Sequence, residues 1–122
     1  MTRDELGELK KASEGLEYPS ESDTPFDVFR WGKAGGAALE QVQAHGGKGR
    51  EIEEVPLEAF FKQLEGSEDA ARFQNLERAL NQTVKGLKVY RVGVGEVKVD
   101  VYLIGKTRSG EWAGVHTVSV ET

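Results

Sequence analysis

The two histidines, His45 and His116, are the residues whose type alone suggests chemistry, as general bases or metal ligands. No H-x-x-x-H or H-E-x-x-H spacing places them on one helix face, so they form no ligand pair in sequence. The chain has no cysteine, which excludes a thiol nucleophile, thiolate metal sites and disulfides. Ser109 and Ser119 lie in a turn and a strand, and neither belongs to a G-x-S-x-G elbow. The glycine-rich stretch His45–Arg50 lacks the G-x-x-x-x-G-K-[ST] order of a phosphate loop. Gly93-Val94-Gly95 has Lys98 where a third glycine would be needed, and it joins two strands instead of opening a helix. Carboxylates are abundant, but Glu51, Glu53, Glu54, Glu68 and Asp69 read as solvated faces or helix starts. Nothing sets one apart as an acid and another as a base. The residues therefore point away from an enzyme.

A different pattern lies between residues 17 and 31. Glu17, Glu21, Asp23 and Asp27 fall within eleven positions, beside Tyr18, Phe26, Phe29 and Trp31. Aromatic rings next to presented charge suit a protein interface. On spacing alone the plainer reading is preferred: an acidic loop whose aromatics enter the core. Residues 1–30 carry eight acids against four bases, and so hold most of the net charge of −5. That balance argues against direct nucleic-acid binding, which needs a cationic surface to release counterions. A basic protein partner fits the charge better, but on acidity alone the preferred reading is an acidic surface that only keeps the chain soluble.

These residues must be held by elements that the sequence outlines. Its 122 residues suit one domain, over 1–122, with a core of useful size. No run of about 18 apolar residues marks a membrane span, and the polar, acidic first residues lead to the expectation of no secretory leader. Thr2 and Glu5 have capping-box spacing, so a helix is expected from Thr2, with Leu6, Leu9, Ser13 and Leu16 on one face and Gly15 as its stop. Residues 17–25 are expected as a loop, because of two prolines and several small polar residues. Phe26–Trp31 reads as a strand, with Phe26 and Val28 on one face. Ala37–Ala44 reads as a short helix, His45–Arg50 as a glycine loop and Glu51–Val55 as a short strand.

Pro56 fits a helix start, followed by Leu57, Phe60, Phe61 and Leu64 as the apolar face. Ser67 is placed to cap the next helix, in which Phe73, Leu76, Leu80 and Val84 recur at helical spacing. Three strands close the chain: Leu87–Val94, Glu96–Ile104 and Trp112–Val120. The links between them are a hairpin at Gly95 and a turn at Thr107–Gly110. Helices followed by an antiparallel β-meander make an α+β domain.

Two long, ordered stretches then acquire a relative. Lys10–Asp23 and Pro25–Trp31 resemble the nuclease A inhibitor (NuiA-like) family, as does Arg72-Phe-Gln-Asn-Leu76. The tail is the most similar part: Leu87–Gly93, Val99–Thr107, Gly110–Gly114 and Val120-Glu-Thr122. The likeness covers roughly residues 8–31 and 70–122, whereas the glycine-rich middle, 32–66, departs from the family pattern.

The resemblance implies a three-layer α-β-α sandwich with a mainly antiparallel sheet, similar to plant pathogenesis-related folds. It also implies tight inhibition of sugar-non-specific nucleases whose site holds a histidine, an asparagine and Mg²⁺. Such an inhibitor plugs the active site and is not itself an enzyme. The nuclease-binding residues so implied are Glu21, matching the family's acidic contact near the metal, with Asp23 and Trp112, and Thr122, matching the terminal threonine that reaches the partner's magnesium. No cofactor and no metal of its own are implied. The partner is a nuclease and not nucleic acid or a membrane, and the free protein is expected as a cytoplasmic monomer. A non-catalytic module of the same fold with a different protein partner is the alternative. A hydrolase using Glu and His residues is a distant third.

Overall fold

The structure, a computed structural model, describes residues 5–121. The expected helix start at Thr2 and the site residue Thr122 lie outside the described residues.

Helix α1 runs over Gly7–Ser13, and Gly15, at φ 71°, turns the chain out of it. Leu6, Leu9, Ser13 and Leu16 are all buried, as their spacing requires. The loop expected at 17–25 contains a small ladder in which β1 (Glu17–Tyr18) pairs with β2 (Thr24–Pro25). Strand β3 follows over Asp27–Gly32. Helix α2, Ala38–Val42, is shorter than expected and passes into a π-turn over Gln43–Gly47. Two glycines allow that turn to lie flat on its neighbours. A Cβ at Gly46 would collide with the Tyr102 hydroxyl, and one at Gly47 would stand 2.6 Å from Ile52 Cδ1.

Strand β4 is Ile52–Val55, α3 is Leu57–Lys62 and α4 is Ala70–Thr83. Ser67 does not cap α4. Its hydroxyl donates to the Leu64 carbonyl at 2.8 Å, in the turn that follows α3, and Asp69 precedes α4 without a side-chain cap. The Leu64 carbonyl also accepts the Ser67 amide at 3.2 Å, so Ser67 is folded back on the preceding turn and its hydroxyl is turned away from the first amides of α4. Val84, expected as the last apolar position of the helix, instead opens β5 (Val84–Val92). The chain passes from α4 into the sheet with no intervening loop, so the buried Val84 satisfies a helical and a strand spacing at once. Strands β6 (Lys98–Thr107) and β7 (Trp112–Val120) complete the meander. Their turn is closed by the Gly110 amide donating to the Thr107 carbonyl at 2.9 Å.

The five-stranded sheet has the order β3-β7-β6-β5-β4, and every neighbouring pair is antiparallel. Successive side chains point to opposite faces of a strand. Val89, Val101, Leu103, Ala113 and Val115 therefore join α1, α3 and α4 in one core. Tyr90, Val92, Ile104 and Trp112 join Ala38 and Val42 of α2 in another. The α+β architecture and C-terminal meander are as expected, with helices against both faces of the sheet. Burial of Leu9, Leu16, Leu76, Leu80 and Leu103, all fully enclosed, stabilises the first core by about 2 kcal/mol per side chain.

Candidate functional site

The acidic loop is stitched to the far end of β7. Tyr18 anchors its first arm: the ring stacks on Phe60 at 5.7 Å, and its hydroxyl accepts from Gln63 Nε2 at 3.3 Å. Burial pushes the Tyr18 phenol above its usual value, so it stays neutral. Thr24 anchors the second arm by donating to the Val118 carbonyl, with its hydroxyl also 3.1 Å from that of Thr117. Thr117 in turn donates to the Pro25 carbonyl at 3.0 Å. Between the arms, the Ser20 hydroxyl donates to the Ser22 carbonyl at 2.7 Å and accepts the Val120 amide at 3.0 Å. The Glu21 amide donates to the Val120 carbonyl at 3.2 Å. The loop thus takes up both main-chain groups of Val120. The side chains of Glu21 and Asp23 are left exposed.

The residue after Val120 is held as firmly. The Glu121 amide donates to the Val97 carbonyl at 2.7 Å, and its carboxylate accepts from the Ser119 hydroxyl at 3.0 Å. The same carboxylate pairs with Arg91, whose Nη1 also lies 3.6 Å from Glu53. These groups border an open groove of about 620 Å³ between the loop and α3. Tyr18, Phe60 and Val101 line it, and among the described residues Glu21, Glu53 and Glu121 contribute three carboxylates against the single cation Arg91.

The four site residues implied by the sequence are not all brought together. Glu21 adjoins Val120 and Glu121, and Asp23 shares its loop. Trp112 lies at the opposite end of β7, eight residues from Val120, or roughly 27 Å at about 3.4 Å per residue. It is buried, its Nε1 donates to the Ala34 carbonyl at 3.0 Å, and Lys106 Nζ sits 5.1 Å from its ring centre.

The sheet also assembles a cluster that the sequence does not announce. His116 Nε2 and Asp100 Oδ1 are 2.7 Å apart, and Arg50 Nη1 donates to Asp100 Oδ2 at 2.6 Å. Arg50 Nε binds Glu96 at 3.1 Å, and Asp27 Oδ2 lies 3.9 Å from His116 Nδ1. Burial pushes the Asp100 carboxyl up, but hydrogen bonds from Arg50 and His116, and their charges, outweigh it and hold it below the usual carboxylate range. The histidines were isolated in sequence because the pairing depends on register. The turn at Thr107–Gly110 sets Tyr102 opposite His116 and so places Asp100 one diagonal away. His45 is engaged as well, stacked on Trp31 at 4.0 Å. Among the described residues, no group of three or more His, Asp or Glu is arranged to hold a metal ion. The cluster ties the π-turn to the sheet.

An acidic loop is thus bonded to the last strand beside a carboxylate-rimmed groove. The sequence model that describes nuclease A inhibitor-like proteins matches residues 4–122. The chain belongs to this family. No curated protein matches it significantly. Nuclease A inhibitor-like sequence extends through residues 32–66, which the sequence alone left outside the resemblance. That middle supplies α2, the π-turn, β4 and α3, so it forms one cover of the sheet and the α3 wall of the groove.

Proposed function

We propose that this nuclease A inhibitor-like protein inhibits a sugar-non-specific, Mg-dependent nuclease by seating Glu21 and Thr122 in its active site. The observation that carries the reading is the hydrogen bond from the Glu21 amide to the Val120 carbonyl. It joins the loop carrying the acidic contact to the strand that leads to Thr122. A nuclease cleft receives phosphate, so it is cationic and holds a hard cation that prefers oxygen ligands. The Glu21 carboxylate and the Thr122 hydroxyl offer such oxygens with no scissile bond between them. The inhibitor performs no chemistry and only has to outcompete nucleic acid. The net charge of −5 favours the encounter with a basic cleft.

The test is to titrate the purified protein into DNA- and RNA-cleavage assays of a sugar-non-specific nuclease at fixed Mg²⁺. Stoichiometric loss of both activities is expected, with a nuclease of unrelated active-site type unaffected. Undiminished cleavage at a several-fold excess of the protein, repeated with several nucleases of this class, would overturn the reading.

A further inference from the structure

Arg91 sits on β5, two strands from β7, opposite Glu53 on β4 and Val101 on β6. It already has a carboxylate in Glu53, 3.6 Å away. It nevertheless reaches across β6 to pair with Glu121 as well. Glu121 is therefore held from three directions: by the Val97 carbonyl, by the Ser119 hydroxyl and by Arg91. The pair is partly exposed, with side-chain accessibilities of 27% and 42%. Such pairs contribute little to global stability, so what this one does is local. It fixes the last described residue of the chain relative to the sheet.

We infer that Arg91 is a positioning residue for inhibition: by holding Glu121 it orders the residue that precedes Thr122 in the chain, near the Glu21 loop. The inference rests on the reading of Glu21 and Thr122 as the nuclease-facing pair. A residue ordered before binding does not have to be ordered during it, and that saving appears as affinity. Arg91 acts through its neighbour, so its effect disappears when the neighbour's contact is gone.

The experiment is a double-mutant cycle on the full chain, with inhibition constants measured for Arg91→Gln, Thr122→Ala and the pair. Backbone ¹⁵N relaxation of Glu121 is measured in the free protein. Arg91→Gln is expected to weaken inhibition about fivefold in the parent, the order for one or two residues left to be ordered on binding, and less than twofold beside Thr122→Ala. It is also expected to mobilise the Glu121 amide while the melting temperature stays put. Arg91→Lys is expected to recover most of the loss. Glu121→Gln, at an exposed position, is expected to repeat the result should Arg91→Gln disturb folding. Equal losses in both backgrounds would show that Arg91 touches the nuclease directly and overturn the inference. So would an unchanged Glu121 amide. If Arg91→Gln frees Glu121 but Thr122→Ala inhibits like the parent, it is the reading of the site that fails, and the inference with it. The free-protein measurement tells these failures apart.

Discussion

The amide of Glu21 donates to the carbonyl of Val120 at 3.2 Å, and the amide of Val120 returns a hydrogen bond to Ser20 at 3.0 Å. One short loop near the start of the chain is thereby locked to the last strand near its end. The loop gains a rigid backing and the strand gains a partner for its terminal main-chain groups. Most of the loop's polar connections are made by backbone atoms or by the hydroxyls of Ser20, Thr24 and Thr117. The Glu21 carboxylate has no part in them, which separates its contribution to binding from the fold.

Replacement of Glu21 by Gln follows from that separation. The side chain is exposed and the supporting hydrogen bond comes from the backbone, so the melting temperature should be that of the parent. Inhibition should weaken by about 2–5 kcal/mol, the loss for one charge-assisted contact in a desolvated site. Inhibition assays paired with thermal melts check this. Parent-like affinity in Glu21→Gln would remove Glu21 from the site.

Salt should act on the approach more than on the complex. Glu17, Glu21, Asp23 and Asp27 are all exposed around the loop, so their field reaches solvent and steers a basic cleft toward it. The association rate should fall steeply as ionic strength rises, with dissociation changing less. Stopped-flow or surface-binding kinetics across a salt series reads both. A salt-independent association rate would leave the acidic segment with a solubilising role alone.

The groove beside Glu21 gives a steric test. Ala59 lines it and is exposed on α3, so Ala59→Trp keeps the helix while filling the space. Inhibition should fall at least tenfold, roughly 1.4 kcal/mol or more, with little change in melting temperature. Ala71→Trp, at an exposed position on α4, is the control and should inhibit normally. Equal inhibition by the two variants would show that the nuclease does not approach the groove.

The parts of this fold that could be read from sequence share a physical reason. Val99, Val101 and Leu103 alternate with period two because one face of β6 is closed by helices, and Thr107–Gly110 has the composition of a turn. Both are local signals. Ser67 departs from its expected capping role because a hydroxyl between two helices can serve either, and nothing in the sequence ranks the two. Val84 fits the helical and the strand period equally. The β1–β2 ladder leaves no mark in the sequence because two-residue strands carry no periodicity. The site was legible only in part. Glu21 and the end of β7 emerge from the family resemblance, but their bond joins opposite ends of the chain. Trp112 sits in a matched stretch, and its sequence carries no hint that the ring faces a core far from Glu21.

Asp100 supplies a pH-dependent prediction. Its carboxyl is held below the usual range chiefly by the opposition of Arg50 and His116 to the upward push of burial. A carboxyl with a depressed folded-state value stabilises the protein above its unfolded value and loses that contribution as pH falls through the folded one. Asp100→Asn should therefore be less stable than the parent at neutral pH by about 1–3 kcal/mol, the range for a partly enclosed charged hydrogen bond left incomplete. The gap should narrow as the pH falls below about 4. Urea denaturation at pH 7 and at pH 3 measures it. A gap that is constant or wider in acid would show that Asp100 acts through packing and not through its charge.

The chain end carries the most direct test of the plugging mechanism. Val120 pairs with Lys98 in the sheet, and Glu121 is bonded to Val97, Ser119 and Arg91. The backbone is thus fixed up to the residue before Thr122, which lowers the entropy lost when that end is placed in a cleft. A peptide tag fused after Thr122 adds bulk at the place where an oxygen ligand is required, without touching a described contact. The tagged protein should melt like the parent and inhibit at least a hundredfold more weakly, about 2.7 kcal/mol. The same tag at the N-terminus is the control and should cost little. Matched inhibition constants and thermal melts for the two tagged forms decide the matter. If the C-terminally tagged protein inhibits as well as the N-terminally tagged one, Thr122 does not enter the site, and insertion of the chain end is excluded as the mechanism.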